Sequence, residues 1–296
     1  MSLAQTEKYY LPQPSLWPII GSVALLLMAV GGTMTMREID NGGWILFAGL
    51  AILFVMMFGW FRDVIRDSEA GRYNQQVDAS FRWSMSWFIF SEVMFFAAFF
   101  GALFYTRVLS VPWLADAETG SLLWPGFQAT WPTAGPGLTE GVDALAGVSP
   151  HEFTPMGAWG IPAINTLLLL TSGVTVTWAH WGLKKNRRTQ LVAGLALTVA
   201  LGAVFLALQV YEYHHAYTEM GLTLGAGVYG ATFFMLTGFH GFHVLVGTTM
   251  LIVMLLRSIA GHFTPDHHFA FEAVSWYWHF VDVVWVLLFI LVYWMI

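Results

Sequence analysis

The sequence predicts an all-α integral membrane protein with seven transmembrane helices. Three observations carry this. The chain of 296 residues is 57% hydrophobic and 10% charged, whereas soluble domains hold about 25% charged residues. Its apolar residues fall in seven unbroken runs, and a bilayer-crossing helix needs roughly 20 of them; barrel strands would alternate over about ten residues instead. Finally, of the 12 Lys and Arg, all but Arg37 and Arg107 fall on one side of the topology those runs create.

The same composition closes other readings. There is no Cys, hence no disulfide, Cys-held zinc or iron–sulfur cluster. A net charge of -6 argues against nucleic acid as a partner. The opening MSLAQTEKYYLPQPS lacks a basic region before an apolar core, so a cleaved signal peptide is not expected.

The first span covers Leu16 to Met36, with Pro18 in its opening turn, where a missing N–H is tolerated. The second covers Trp44 to Phe61. The third lies in Phe81 to Arg107, FRWSMSWFIFSEVMFFAAFFGALFYTR, and carries one carboxylate, Glu92, about halfway along. The fourth runs from Ala158 to Leu183, the fifth from Leu191 to Tyr211, the sixth from Val228 to Leu256 and the seventh from Ala273 to Ile296. The link from Arg62 to Arg82 is the longest on its side. It suggests a division between residues 1–70, with spans one and two, and residues 71–296, with spans three to seven.

Orientation follows the cations. Lys8, Arg62, Arg66, Arg72, Arg82, Lys184, Lys185, Arg187, Arg188 and Arg257 share one side, expected to be cytoplasmic with the N-terminus. The C-terminus is then outside. The outer loop Ser110 to Gly157 is long, rich in Pro, Gly and Trp, and carries Asp116, Glu118, Glu140, Asp143 and Glu152. A loop of that length is either a solvated acidic segment or a contact surface.

Glu92 is the first candidate for chemistry. An ionised, unpaired carboxyl at mid-membrane depth costs several kcal/mol. Its helical neighbours Phe88, Ile89, Phe95, Phe96 and Phe99 offer no charge, so a partner is expected on another helix: His240 or His243 of span six. Those two His, i and i+3, could chelate a metal, and His240 with His279 could hold a b-type haem. On residues alone, interhelical hydrogen bonding is the stronger reading. Asp282 follows His279 by three and can pair with it. Glu92, Asp282 and nearby Ser and Thr make only a fragment of a proton relay. After span two, Trp60, Arg62, Asp63, Arg66 and Asp67 form an interfacial group. Its guanidinium groups suit lipid phosphate and its carboxylates a headgroup ammonium, alongside ordinary positive-inside anchoring. The Trp276, Tyr277, Trp278, His279 cluster reads as packing.

Several blocks, in order along nearly the whole chain, closely resemble subunit III of haem–copper cytochrome c oxidase of the bacterial aa3 type. They are RDVIRDS after span two, SEVMFF, NTLLLLTSGVTVTWAH, GVYGATFFMLTGFHGFH, HFTPDHHFAFEA and FEAVSWYWHFVDVVW. The resemblance implies a two-helix group and a five-helix group separated by a V-shaped cleft that holds phospholipid. It implies no haem, copper or other metal in this chain. Subunit I, against which such a chain packs, holds both haems and the oxygen-site copper. Subunit II belongs to the same complex, and cytochrome c, the electron donor, binds elsewhere. The role implied is support of proton uptake, oxygen access and turnover stability in a bacterial inner membrane, with the C-terminus periplasmic.

By the same resemblance the family's intramembrane glutamate falls on Glu92, and its lipid contacts on Trp60, Arg62, Arg66, Asp67 and Arg257. Two departures stand out: Trp181 replaces a frequent second His after WAH, and EAGRYN replaces a charged run that often continues with His. The loop at 110–157 is longer than usual. The rivals are subunit III of a quinol oxidase, usually with five spans, and a b-type cytochrome.

Overall fold

The computed structural model describes residues 10–116, 118, 120–138 and 152–296. Lys8, Glu140 and Asp143 lie outside them. Among the described residues there are seven helices long and apolar enough to cross a membrane, and no strand. They are α1 (Trp17–Met36), α2 (Gly42–Glu69), α3 (Gln75–Phe104), α4 (Ile161–Lys184), α5 (Arg188–Glu219), α6 (Gly227–Ala260) and α7 (Phe269–Leu288). A π-helical turn, Tyr105–Ser110, extends α3, and another, Phe289–Trp294, extends α7.

Helix ends follow local chemistry. Pro18 and Pro162 sit in the first turns of α1 and α4, where their fixed φ is already helical. Asn186 ends α4 in the left-handed region, with the Arg187 N–H on Gly182 O and the Asn186 N–H on Leu183 O. Gly261 ends α6 the same way: the His262 N–H reaches Arg257 O, and the Gly261 N–H reaches Ser258 O. Both are Schellman caps, which need a residue that tolerates positive φ.

Two stretches differ from the hydropathy reading. The Arg62–Arg82 link is mostly helix, because α2 runs to Glu69 and α3 starts at Gln75. RDVIRDSE is charged but contains no Gly or Pro, and Arg and Glu are good helix formers; the break comes at Gly71, with φ 66°. Likewise α5 continues past Tyr211 to Glu219, because Glu212 turns inward and finds partners.

The chain forms two compact units, Met1–Trp83 and Ser84–Ile296. In the first, α1 and α2 pack as an antiparallel pair. A Cβ on Gly31 would overlap the Leu46 backbone nitrogen, and one on Gly49 would lie 2.8 Å from Met28 N. Small residues of this kind let membrane helices approach closely enough for dispersion to hold them. The first residue of α1 and the stretch before it are each tied to α2 by a side-chain bond. The Trp17 indole donates to Asp63 at 2.7 Å, and the Tyr10 hydroxyl donates to Asp67 at 2.6 Å. That second bond raises the Tyr10 pKa above its ordinary value. Tyr73 packs edge-on against both Tyr10 and Phe81.

In the second unit α7 is the most buried of the seven helices. Trp278 and Trp285 are fully enclosed, and their indole N–H groups donate to Ser172 and Thr166 of α4, each at 2.9 Å. Buried Trp usually needs such a partner. The described part of the outer loop packs on the bundle: Val228 N–H reaches Ala134 O at 3.1 Å, and Phe127, Thr133 and Ala134 are buried.

Candidate functional site

Glu92 lies on α3 and His243 on α6, inside the second unit. His243 Nε2 is 2.8 Å from Glu92 Oε2. The imidazole is 9% exposed and the carboxyl 21%. Rings enclose the contact: Phe96 at 5.0 Å from the imidazole centroid, Phe95 at 5.8 Å, and Tyr277 stacked on it at 6.3 Å.

The other ring nitrogen fixes the proton count. His243 Nδ1 lies 2.6 Å from Phe239 O. A carbonyl oxygen only accepts, so Nδ1 carries a hydrogen. Across the Nε2···Oε2 contact there is then one shared proton, held either as imidazole with carboxylic acid or as imidazolium with carboxylate. Both states have zero net charge, which answers the cost of a lone carboxylate at this depth.

His240, the other proposed partner, faces elsewhere. Residues three apart on a helix differ by about 60° around its axis, enough to send one side chain to α3 and the other to α7. His240 Nε2 is 3.1 Å from Val281 O, and its ring packs against Phe205 and Trp285. His279, its suggested haem partner, lies with Nε2 3.2 Å from Thr177 Oγ1 and Nδ1 3.5 Å from Asp282 Oδ2. A Cβ on Gly173 of α4 would overlap that Asp282 oxygen, so a larger residue there would have to displace the carboxyl.

The lipid candidates divide. In the first unit Asp63 and Asp67 accept protein hydrogen bonds from Trp17 and Tyr10. Arg62 and Arg66 are exposed, and among the described residues neither guanidinium has a side-chain partner. Trp60 is exposed. In the second unit Arg257 is buried in the last turn of α6, its guanidinium 4.6 Å above the Phe263 ring.

Two groupings went unpredicted. Glu212 Oε1 accepts the Tyr293 hydroxyl at 2.6 Å and the Gln209 amide at 3.3 Å, in a fully buried setting. The i,i+3 spacing of Gln209 and Glu212 was the available signal. The second joins His180 of α4 with His268 and Glu272, whose candidate ligand atoms all lie within 4.8 Å of one another. There the signal was HHFAFE, which sets His268 and Glu272 i,i+4.

Comparison with known proteins gives one consistent picture. The family model described as Cytochrome c oxidase subunit III matches residues 7–296. A Cytochrome c oxidase subunit 3 from Marchantia polymorpha is 41% identical over 295 residues, covering 99% of this chain and 98% of its own. One from Hippopotamus amphibius is 40% identical, covering 98% of each chain. One from Chondrus crispus is 41% identical over 98% of this chain and 94% of its own.

Proposed function

This chain belongs to the cytochrome c oxidase subunit III family, and from that premise we propose that it supports the oxidase without carrying a redox centre. Haem and copper then reside in the partner subunits. This chain packs on subunit I, with subunit II in the same complex and cytochrome c docking elsewhere. The chain lies in the bacterial inner membrane with its N-terminus cytoplasmic and its C-terminus periplasmic; the one-sided Lys and Arg support this orientation. Cytochrome c rather than quinol as donor is supported by relatives that match through α1 and α2 as well as α3–α7.

The observation that carries the reading is the Glu92–His243 pair. It is net neutral, shares one proton, and is partly open on the α3 side. In such a contact the shared proton can move between carboxyl and imidazole with no change in net charge, which suits support of proton uptake and turnover stability in a neighbouring subunit. Phospholipid held near Trp60, Arg62, Asp63, Arg66 and Asp67 of the first unit, and separately near Arg257 of the second, completes the reading. Arg62 and Arg66 are the phosphate ligands of the group, since Asp63 and Asp67 already bond protein donors. Lipid ordered there also offers oxygen an apolar route.

The test is Glu92→Gln in the whole oxidase. The complex is expected to assemble and to start turnover at a substantial rate, then to inactivate faster than the unmodified complex. Unchanged inactivation would remove the pair from turnover support. Failure to assemble would leave it a structural contact only.

A further inference from the structure

We propose that His180, His268 and Glu272 form a binding site for a divalent transition cation of the Zn2+ class, at the end of the bundle where α4 stops and α7 begins. His180 lies one turn before Lys184, the last residue of α4; Glu272 is in the first turn of α7, and His268 caps it. The site therefore lies at a helix-end boundary of the bundle. It is also far along the chain from Glu92 and shares no residue with that pair.

The donor set suits zinc, which takes imidazole nitrogen and carboxylate oxygen in tetrahedral geometry and tolerates an open fourth position for water. His268 Nε2 is 3.2 Å from Glu272 Oε1, and His180 Nε2 is 3.6 Å from the same oxygen. Metal–ligand bonds of about 2.0–2.1 Å in a tetrahedron put neighbouring ligand atoms about 3.3 Å apart. Two edges of the site are thus close to the spacing a zinc ion would impose.

Two further observations point to a ligand. The His268 side chain is 9% exposed, yet its Nε2, like His180 Nε2, is buried with no hydrogen-bond partner. Its Nδ1 lies 3.2 Å from Thr264 O, so Nδ1 carries the hydrogen. In the neutral ring, Nε2 then turns a lone pair toward a carboxylate oxygen, a repulsion that a proton or a metal cation between them relieves. The Nδ1–H to backbone carbonyl bond is also the arrangement that orients metal-bound imidazoles. The ring of Phe271, 5.3 Å from that of His180, holds the second imidazole in place. Bound metal would pin the start of α7 to the end of α4, against the repulsion of nearby Lys184.

The test uses the intact oxidase containing this chain and Zn2+ alone as the probe. Equilibrium dialysis is expected to show one Zn2+ fewer per complex for His180→Ala/His268→Ala than for the unmodified protein, with haem spectra unchanged. Equal Zn2+ in the two complexes would overturn the proposal. Should the variant not assemble, zinc-edge anomalous diffraction from zinc-soaked crystals of the unmodified complex decides. A peak bonded to all three residues supports the site, and its absence refutes it. Neither result depends on whether Glu92 affects turnover.

Discussion

Replacing Glu92 by Ala and by Gln separates a hydrogen bond from a charge at the α3–α6 contact. In the Ala variant, His243 Nε2 loses its partner at 2.8 Å while the ring stays enclosed by Phe95, Phe96 and Tyr277. An orphaned buried polar group costs about 1–3 kcal/mol. In the Gln variant the side-chain amide donates to the Nε2 lone pair and the contact remains neutral, so the loss should stay within about 1 kcal/mol. A gap of one to two kcal/mol corresponds to roughly 5–30-fold in a folding equilibrium.

The assay is thermal release of this chain from the detergent-solubilised complex, followed by size exclusion. Release of the Ala variant at clearly lower temperature, with Gln close to the unmodified protein, is expected. His243→Leu should resemble Glu92→Ala, and the double variant should lose less than the sum, since contacting residues couple. Equal losses for Ala and Gln would refute the reasoning, because they would mean that charge, not a hydrogen bond, holds the contact.

Two further outcomes follow from the first unit. Gly31→Ala places a methyl on the Leu46 backbone; overpacking of this kind costs about 1–3 kcal/mol, and faster proteolysis between α1 and α2 is expected, with an unchanged cleavage rate counting against the close approach. Arg62→Ala with Arg66→Ala removes two guanidinium groups that lack a side-chain partner among the described residues, so stability should change by no more than about 0.5 kcal/mol, while the phospholipid count of the purified complex, read by mass spectrometry, falls; an unchanged count would exclude them as phosphate ligands.

The number and order of the spans follow from the sequence alone, because a bilayer demands long apolar runs and no other feature imitates them. The need for a partner at Glu92 follows too, since a lone carboxyl at that depth is costly whatever the fold. Helix ends were less legible. RDVIRDSE and the segment from Glu212 to Glu219 are polar, yet both are helical, because hydropathy measures the membrane's preference and not the backbone's.

Only the tertiary structure chose between His240 and His243. They share a helix and nearly a face, and the decision lay in which neighbouring helix each met: α3 for His243, α7 for His240. The same holds for the cation cluster. The spacing of His268 and Glu272 was visible, but His180 comes from a different helix, brought alongside by the Trp278–Ser172 and Trp285–Thr166 bonds that lock α7 to α4. Residue types set what each group can do. Proximity across helices, which depends on where small residues allow close packing, set which groups do it together.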